Sequence, residues 1–316
     1  MKVLFDVDTG IDDAFALLYA IFKPQYEIVG ISSVCGNVES FLAAENTLKI
    51  LDLADAPDIP VVQGAAGPLK GKWDGRVAAI HGENGLGNID LPPSRRKLLA
   101  EHVADFHMRL AEQYEGELTV ITLGPLTNIA LTLQKYPAYA KKVKRLIMMG
   151  GTLFTQGNVS PVGEANVVGD PEACDLLFLS GMDVTAVGLD VTTRTRLRRE
   201  HMEWLARHCS GRAKNAVTFL QKALEHYFYG NQMQNYCIGD CPVHDPLAVM
   251  YAAVPHLFRT QTRRARVECG GDYCRGMIVT DRREHPMPGG DIRFALEADA
   301  ERALRELLSA FWEESN

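Results

Sequence analysis

Short apolar segments rich in β-branched residues alternate with helical patterns along almost the whole chain of 316 residues. Most of these segments are apolar at consecutive positions, so both faces of each strand are expected to be buried. Buried strands that alternate with helices form a mostly parallel sheet with helices on both sides. The pattern therefore predicts an α/β fold, a Rossmann-like open sheet that is mostly parallel and flanked by helices.

The strand and helix pattern continues from one end of the chain to the other. It contains no internal repeat and no linker of biased composition, so residues 1–316 are predicted to form a single domain. Residues 64–96 are rich in Gly and Pro and are predicted to form a long loop, which in a compact domain is often functional. The predicted strands are Val3–Val7, Ile28–Val34, Ile59–Gln63, Leu118–Leu123, Arg145–Met149, Val184–Leu189, Ala265–Cys269, Met277–Thr280 and Ile292–Leu296. The predicted helices between and after them include Ala213–Phe228 and Glu301–Glu313.

Charge and composition argue against several classes of function. The net charge is −7 and the basic residues form no long run, so a nucleic-acid-binding surface is not expected. No apolar stretch approaches the ~20 residues that span a bilayer, and the first apolar run is too short for a signal peptide. The seven scattered cysteines predict free thiols in a reducing cytoplasm rather than disulfides or a zinc site. We therefore expect a cytoplasmic protein without nucleic acid or membrane as a partner.

The first predicted strand ends in a cluster of carboxylates. The segment DVDTGIDDA contains Asp6, Asp8, Asp12 and Asp13, and ligands of such sheets bind beyond the carboxyl ends of the strands. An N-cap role at the following helix explains one or two of these aspartates, and not four. A hard cation with oxygen ligands, Ca²⁺ or Mg²⁺, would neutralise the others. The segment does not match an EF-hand loop, because Gly10 occupies the third ligand position.

Later parts of the sequence add polar residues to the same predicted edge. Asp170 precedes a proline and is predicted to cap a helix, whereas Glu164 and Asn166 lie upstream of that helix, free to face a ligand. His244 can be a buried structural histidine, and Asp245 can be an N-cap before Pro246. Both residues gain a functional interpretation only if Asp245 faces the same metal as the first carboxylates.

Seven segments occur in a fixed order between residues 3 and 255: DVDTGIDDA, CGN, HGENGLGN, LGPLTNIA, MMGG, GEANVVGDPEA and HDPLAV. Their order and spacing resemble the successive motifs of the inosine/uridine-preferring nucleoside hydrolases. The resemblance implies the nucleoside hydrolase fold and calcium-dependent hydrolysis of the N-glycosidic bond of ribonucleosides, which releases ribose and the free base. It also implies a homodimer or homotetramer that acts on a small-molecule nucleoside. Residues beyond 255 carry none of these motifs.

The resemblance assigns metal ligands and catalytic groups residue by residue. One Ca²⁺ would be held by the carboxylates of Asp8, Asp13 and Asp245 and by the main-chain carbonyl of Leu123. Asp8 would be the general base for a calcium-bound water. Two histidines, His244 and His81, would be the candidates for the acid that protonates the leaving base.

The same resemblance assigns the groups that bind the substrate. Gln232 and Tyr236 stand where pyrimidine-preferring relatives place residues that contact the base, although helix packing explains the aromatic residues of this segment equally well. Ala165 replaces an aromatic residue of the family motif, which leaves the preferred base open. The ribose would be bound by Asp12, Asn37, Glu164, Asn166 and Asp245, with Met149 packed nearby.

Two other functions are compatible with parts of the sequence. A non-catalytic nucleoside- or ribose-binding protein on the same fold would lack a base or a metal ligand, and none is missing here. A phosphohydrolase of the haloacid-dehalogenase type also begins with an Asp-x-Asp motif after its first strand. It does not account for Asp12, Asp13 or the His244–Asp245 pair, so the nucleoside hydrolase is favoured.

Overall fold

The predicted strands form one large sheet in the structure, which is a computed structural model. The structure describes residues 1–209, 211–235 and 237–312, without the side chain of Asn235. Two short strands, β7 and β8 below, form a separate two-stranded antiparallel sheet. In these residues the strands are β1 (Lys2–Val7), β2 (Glu27–Ser33), β3 (Val61–Gln63), β4 (Thr119–Thr122), β5 (Arg145–Met149), β6 (Val184–Val187), β7 (Arg196–Arg198), β8 (Asp240–Pro242), β9 (Phe258–Val267), β10 (Ile278–Asp281) and β11 (Gly290–Ala298).

Helices follow most of the strands and cover the sheet. A single turn of 3₁₀ helix spans Pro255–Leu257. The α-helices are α1 (Ile11–Phe22), α2 (Ser40–Leu53), α3 (Ala78–His81), α4 (Val103–Gln113), α5 (Thr127–Lys135), α6 (Tyr139–Lys142), α7 (Ala165–Gly169), α8 (Pro171–Leu179), α9 (Leu189–Thr192), α10 (Arg199–His208), α11 (Ala213–Asn235), α12 (Asp245–Ala253) and α13 (Ala300–Ser309).

The strand order in the main sheet is β10-β9-β11-β6-β5-β4-β1-β2-β3. The pairs from β3 to β11 are parallel, whereas β9 runs antiparallel between β10 and β11. The prediction of an open and mostly parallel sheet is therefore confirmed. The chain moves to one side of β1 through β2 and β3 and then returns to its other side at β4. This reversal makes the carboxyl ends of β1 and β4 the topological switch point, where sheets of this type bind ligands.

Both faces of β1 are buried, as its composition predicts. Val3, Phe5 and Val7 belong to the apolar core on one side of the sheet, and Leu4 belongs to the core on the other side. Successive side chains of a strand point to opposite faces, so this split follows directly from the sequence. The strand is thereby fixed on both sides, and the loop after it starts from a rigid base.

The structure also differs from the sequence-based expectations. The strand predicted to start at Ala265 begins at Phe258. The prediction missed its first half because that half contains several exposed polar residues and lacks an apolar pattern. The helix predicted to end at Phe228 continues to Asn235. Glu313, the predicted end of the last helix, lies outside the described residues. Among the described residues, no helix has the length and apolar character that crossing a bilayer requires.

Candidate active site

The carboxylate of Asp8 lies directly beyond β1, between the loops that follow β2 and β4. Its Oδ2 accepts a hydrogen bond from the backbone N–H of Asn37 at 2.8 Å. A Cβ atom on Gly36 would overlap this oxygen, and one on Gly124 would lie 2.9 Å from the carboxyl carbon. The two glycines therefore create the space that the carboxylate occupies. The other oxygen, Oδ1, is buried without a hydrogen-bond partner in the described residues.

Asp13 lies in the first turn of α1 and is fixed by three donors. Its carboxylate accepts hydrogen bonds from the backbone N–H groups of Gly10 (2.9 Å) and Asp8 (3.2 Å). The side-chain amide of Asn37 donates a third bond of 3.1 Å. The start of a helix favours a carboxylate at this position, and the loop after β2 completes the set of donors.

Asp12 points from the same turn towards α11. Its Oδ2 accepts a hydrogen bond from the hydroxyl of Tyr227 at 3.1 Å, whereas its Oδ1 is buried without a partner in the described part of the chain. One oxygen from each of Asp12, Asp13 and Asp245 lies within 4.8 Å of the others. This distance suits three ligands around one cation, so the group can hold a metal ion.

Burial and mutual repulsion perturb these carboxylates. Burial raises the pKa of Asp8 and of Asp245 well above the usual range, and the neighbouring aspartates raise both further. The pKa of Asp13 is raised for the same reasons, burial first and then the charge of Asp12. Carboxylates that repel one another in this way are stabilised by a bound cation.

Asp245 is the first residue of α12, and the residue at the N-cap position is His244. The interpretation of Asp245 as the N-cap of this helix is therefore wrong, because the chain adopts helical geometry one residue earlier than the proline suggests. The buried carboxylate of Asp245 instead lies beside those of Asp12 and Asp13.

Asn166 connects the ends of two neighbouring strands. Its side-chain amide donates hydrogen bonds to the carbonyl oxygens of Leu123 (2.6 Å) and Met149 (3.1 Å). The carbonyl of Leu123 thus faces the site, and an oxygen with two lone pairs can accept a second partner. Met149 lies at the end of β5, next to the same amide.

Glu164 lies upstream of α8, as predicted, and has a structural role as well. It is the N-cap of α7, which contains Asn166, so the two residues are not free of helical structure. The buried carboxylate accepts hydrogen bonds from the backbone N–H groups of Gly151 (2.8 Å), Asn166 (2.9 Å) and Val167 (3.2 Å). The prediction missed this helix because it is only five residues long. The predicted N-cap role of Asp170 at the next helix is confirmed by its bond from Ala173 N–H at 3.0 Å.

Two histidines face the site, His81 buried and His244 half-buried. The Nδ1 atom of His244 pairs with the hydroxyl of Thr192 at 2.8 Å, and burial lowers its pKa to about 4. The Nδ1 atom of His81 accepts the N–H of Ile11 at 3.2 Å, which places the ring proton on Nε2. Burial also lowers the pKa of His81, and its 3.7 Å separation from Asp12 is too long for a hydrogen bond. The lowered pKa favours the neutral form of both rings.

Above the carboxylates lies a cavity of about 110 Å³, here called the front cavity. Side chains of α11 form one of its walls through Tyr227, Asn231 and Gln234, which share one helix face because they are spaced by four and three residues. Gln232 is exposed and does not line it, and Tyr236 lies outside the described residues. The other lining residues include Asp12, Asn37, His81, Leu123, Met149, Asn158, Glu164, Asn166, His244 and Asp245.

Three amide side chains of the front cavity, those of Asn158, Asn231 and Gln234, were not predicted from the sequence. Asn231 and Gln234 lie in the part of α11 beyond the predicted helix end. Asn158 lies in an irregular loop and accepts the N–H of Ala165 at 3.0 Å. A prediction that extended the helical period past residue 228 would have found the first two, whereas Asn158 has no periodic signal.

Asp6, the fourth aspartate of the first turn, does not belong to this site. It accepts hydrogen bonds from Ser32 and from the side-chain amide of Asn128, and burial raises its pKa to about 7. A larger groove, of about 570 Å³, also lies elsewhere, along α5 and α8. Its carboxylates, Glu172 and Asp175, are paired with arginines, so they carry no uncompensated charge.

Comparisons with known proteins point to the same chemistry. Residues 3–305 match the family model of the inosine-uridine preferring nucleoside hydrolases. Uridine nucleosidase 1 of Arabidopsis thaliana is 38% identical over 281 residues, which cover 89% of this chain and 82% of that protein. The comparisons favour neither the phosphohydrolase nor the non-catalytic binding protein.

Solved structures of nucleoside hydrolases superpose on nearly the whole chain. A plant nucleoside hydrolase, the PpNRh1 enzyme, has a TM-score of 0.93 and 32% identity, with 99% of both chains covered. The purine-preferring ribonucleoside hydrolase from Gardnerella vaginalis has a TM-score of 0.91 and 33% identity, with 98% of both chains covered. This chain therefore belongs to the inosine-uridine preferring nucleoside hydrolase family and is an N-glycosidase that hydrolyses ribonucleosides.

Proposed function

We propose that the enzyme depends on calcium, uses Asp8 as the general base and prefers pyrimidine nucleosides. The observation that carries the proposal is the set of buried carboxylates at the switch point, where three of them lie within 4.8 Å. Such a set is costly in a stable protein unless charge compensates it, and it is complementary to the positive charge that develops on a ribose ring during glycosidic cleavage.

The donor set fits a hard divalent cation. All its members are oxygen atoms, and the Oδ1 atoms of Asp8 and Asp12 are buried without a hydrogen-bond partner in the described residues. Oxygen donors of this kind suit Ca²⁺ better than zinc or copper. We propose that Asp8, Asp13, Asp245 and the carbonyl of Leu123 would hold the ion. When bound, it would supply positive charge that lowers the pKa of a nearby water and attracts the ribose hydroxyls.

Asp8 would take a proton from the attacking water. Its Oδ1 atom is buried without a hydrogen-bond partner in the described residues, so this oxygen is available to accept a proton. The amides of Asn37 and Asn166, together with Asp12, would orient the ribose hydroxyls. The carboxylate of Glu164 accepts the backbone N–H of Asn166 and so keeps Asn166 in place. The same carboxylate would add negative charge next to the ribose.

The departing base would be stabilised at the histidine side of the front cavity. His81 carries its ring proton on Nε2 and can donate a hydrogen bond to the base without first becoming charged. His244 lines the same cavity and holds its Nδ1 against Thr192. We propose that one of these two rings donates to the base nitrogen as the bond breaks.

The preference for pyrimidines rests on the size and polarity of the front cavity. Its volume of about 110 Å³ favours the smaller bases, and the side-chain amides of Asn231 and Gln234 offer donors and acceptors to a uracil ring. The relative from Arabidopsis is named for uridine, whereas the Gardnerella enzyme is named for purines. Similarity alone therefore does not decide the preferred base.

Hydrolysis assays test the mechanism. Purified protein is incubated with uridine, inosine and a phosphate monoester, with and without a chelator, and released ribose and phosphate are measured. We expect ribose release from uridine with the higher kcat/KM, abolished by the chelator, and no phosphate release. Asp8→Asn should lower kcat about 10²–10⁴-fold, the usual contribution of a general base. Undiminished turnover in this variant would eliminate Asp8 as the base.

A matched pair of glutamine variants tests the base contact. Gln234→Ala should lower kcat/KM for uridine about tenfold, the equivalent of one hydrogen bond of ~1.4 kcal/mol. Gln232→Ala changes the same residue type two positions away, at a side chain that does not line the front cavity, and should have little effect. The reverse result would support the sequence-based prediction that Gln232 contacts the base.

The predicted homodimer or homotetramer, the cytoplasmic location and the single-domain organisation stay predictions. Light scattering coupled to size-exclusion chromatography measures the mass of the assembly directly. A mass of two or four chains of 34.9 kDa would agree with the family resemblance, whereas a monomer would contradict it.

A further inference from the structure

A second cavity, of about 190 Å³, adjoins the front cavity on the far side of Asn37 and Asn166 and is here called the rear cavity. Asn37 and Asn166 line both cavities, so they form part of the wall between them. The proposed mechanism so far uses only the front cavity. The residues of the rear cavity used below are Asp8, Gly36, Asn37, Trp73, Pro125 and Asn166.

Asp8 faces the rear cavity. It belongs to the lining of the rear cavity and not to that of the front cavity, where Asp12, Asp245 and His244 are found. The proposed base therefore approaches the substrate position from one side, and the proposed donors to the leaving base lie on the other. Displacement at a ribose carbon needs this arrangement, because the incoming oxygen attacks the face opposite the departing nitrogen.

Trp73 covers the rear cavity and is tied to the loop that positions Asp8. Its indole N–H donates a hydrogen bond of 3.0 Å to the carbonyl of Gly36. Four residues later, the N–H of Val77 donates to the carbonyl of Asn37 at 3.0 Å. The N–H of Asn37 in turn donates to the carboxylate of Asp8. A single loop thus closes the cavity and fixes the turn that supports the base.

The volume of the rear cavity suits small nucleophiles. A water molecule takes up about 30 Å³ in the liquid, so several waters fit into this space. The carboxylate of Asp8 and the amides of Asn37 and Asn166 provide the polar partners that ordered water requires.

We propose that the rear cavity supplies the attacking water to Asp8, and that Trp73 is a positioning residue that excludes larger nucleophiles. The proposal rests on the role of Asp8 as the base in the proposed function. A small alcohol that entered the cavity would react in place of water. The oxygen of methanol would bond to the anomeric carbon as the bond to the base nitrogen breaks. The methanol proton would pass to Asp8, and the base would leave with the electron pair and take up a proton.

The test measures which nucleophile the enzyme uses. Wild type, Trp73→Phe, Trp73→Ala and the control Trp204→Phe are incubated with uridine at a fixed methanol concentration, and methyl riboside and ribose are quantified. Trp204 packs against His208 and Trp312 and lines neither cavity, so it controls for the loss of a tryptophan. Circular dichroism and thermal unfolding confirm that each variant is folded.

We expect Trp73→Ala to raise the ratio of methyl riboside to ribose about tenfold, because pockets discriminate one extra methyl group by roughly this factor. Trp73→Phe keeps a ring over the cavity and loses the N–H, so its ratio should equal that of wild type. Its kcat should fall about fivefold, as expected for one lost hydrogen bond, with KM within about twofold.

Equal ratios in wild type and Trp73→Ala would overturn the proposal, and so would the absence of methyl riboside from both. If the alanine variant does not fold, the kcat of Trp73→Phe tests the proposal instead. An unchanged kcat in Trp73→Phe would contradict the positioning role. The proposed function fails separately, through retained activity of Asp8→Asn. The two hypotheses are therefore distinguishable.

Discussion

Replacement of Gly36 by alanine should abolish most of the activity without unfolding the protein. The new Cβ would overlap Oδ2 of Asp8 and lie 2.8 Å from its carboxyl carbon and 2.9 Å from Cδ of Pro125. Carbon atoms pack at about 3.5–4.0 Å, so each of these contacts is at least ~0.6 Å too short. Because Pro125 limits retreat on its side, the carboxylate of Asp8 has to move and give up its bond from Asn37 N–H.

The magnitude follows from this displacement. A shift of about 1 Å in a reacting group can cost 10²-fold in rate, so kcat/KM of Gly36→Ala should fall about 10²-fold for both uridine and inosine. The extra methyl group should reduce the free energy of unfolding by about 1–3 kcal/mol, the range observed for overpacked sites. Steady-state kinetics with both nucleosides and urea unfolding measure the two effects separately.

Gly67→Ala is the matched control. No atom lies within 4 Å of a Cβ built at Gly67, and the residue adopts a backbone conformation that alanine tolerates, because its φ lies outside the left-handed region. It should leave kcat/KM and stability close to wild type. If folded Gly36→Ala kept kcat/KM within about threefold of wild type, a loss of less than ~0.7 kcal/mol, the position of Asp8 would not control the rate and our reasoning would be refuted.

Two further predictions concern stability. A chelator should lower the Tm of the protein as well as its activity, because the carboxylates of the site would lose their compensating charge, and added Ca²⁺ should restore both. His107 is buried and its pKa is lowered from 6.5 to about 3, so below pH 6.5 the unfolded chain binds its proton first. As the pH decreases from 6.5 towards 3, the free energy of unfolding should therefore fall by up to about 1.4 kcal/mol per pH unit because of His107. The His107→Gln variant should lack this part of the pH dependence, which urea titrations at several pH values measure.

The parallel sheet could be predicted because its strands are apolar on both faces. The polar ends of the strands could be predicted for a related reason, since a carboxylate directly after a buried strand has few structural explanations. Asp8 is such a residue, and it lies at the switch point. The antiparallel extension formed by β9 was less predictable, because exposed edge strands carry polar residues that resemble loops.

The wall formed by α11 was missed for a specific physical reason. Gly230 interrupts the helical pattern and suggests an end near Phe228. In the structure a Cβ at Gly230 would overlap the carbonyl of Ala79 and lie 2.9 Å from the Cα of Ile80. The glycine thus allows α3 to pack closely against α11, and the helix continues. A sequence read without its tertiary contacts cannot distinguish such a packing glycine from a helix-ending one.

The division of roles within the first turn follows from the same geometry. Asp12, Asp13 and Asp245 lie close enough to repel one another, so positive charge would stabilise them, and in the proposed function Asp13 and Asp245 hold the cation while Asp12 faces the ribose. Asp8 lies between two glycines, with one oxygen fixed by Asn37 and the other without a partner among the described residues. A buried carboxylate oxygen without a partner is costly in a purely structural aspartate, whereas a base needs such an oxygen to accept a proton. The geometry therefore supports the proposal that Asp8 accepts the proton of the attacking water beside the cation that it shares with Asp13 and Asp245.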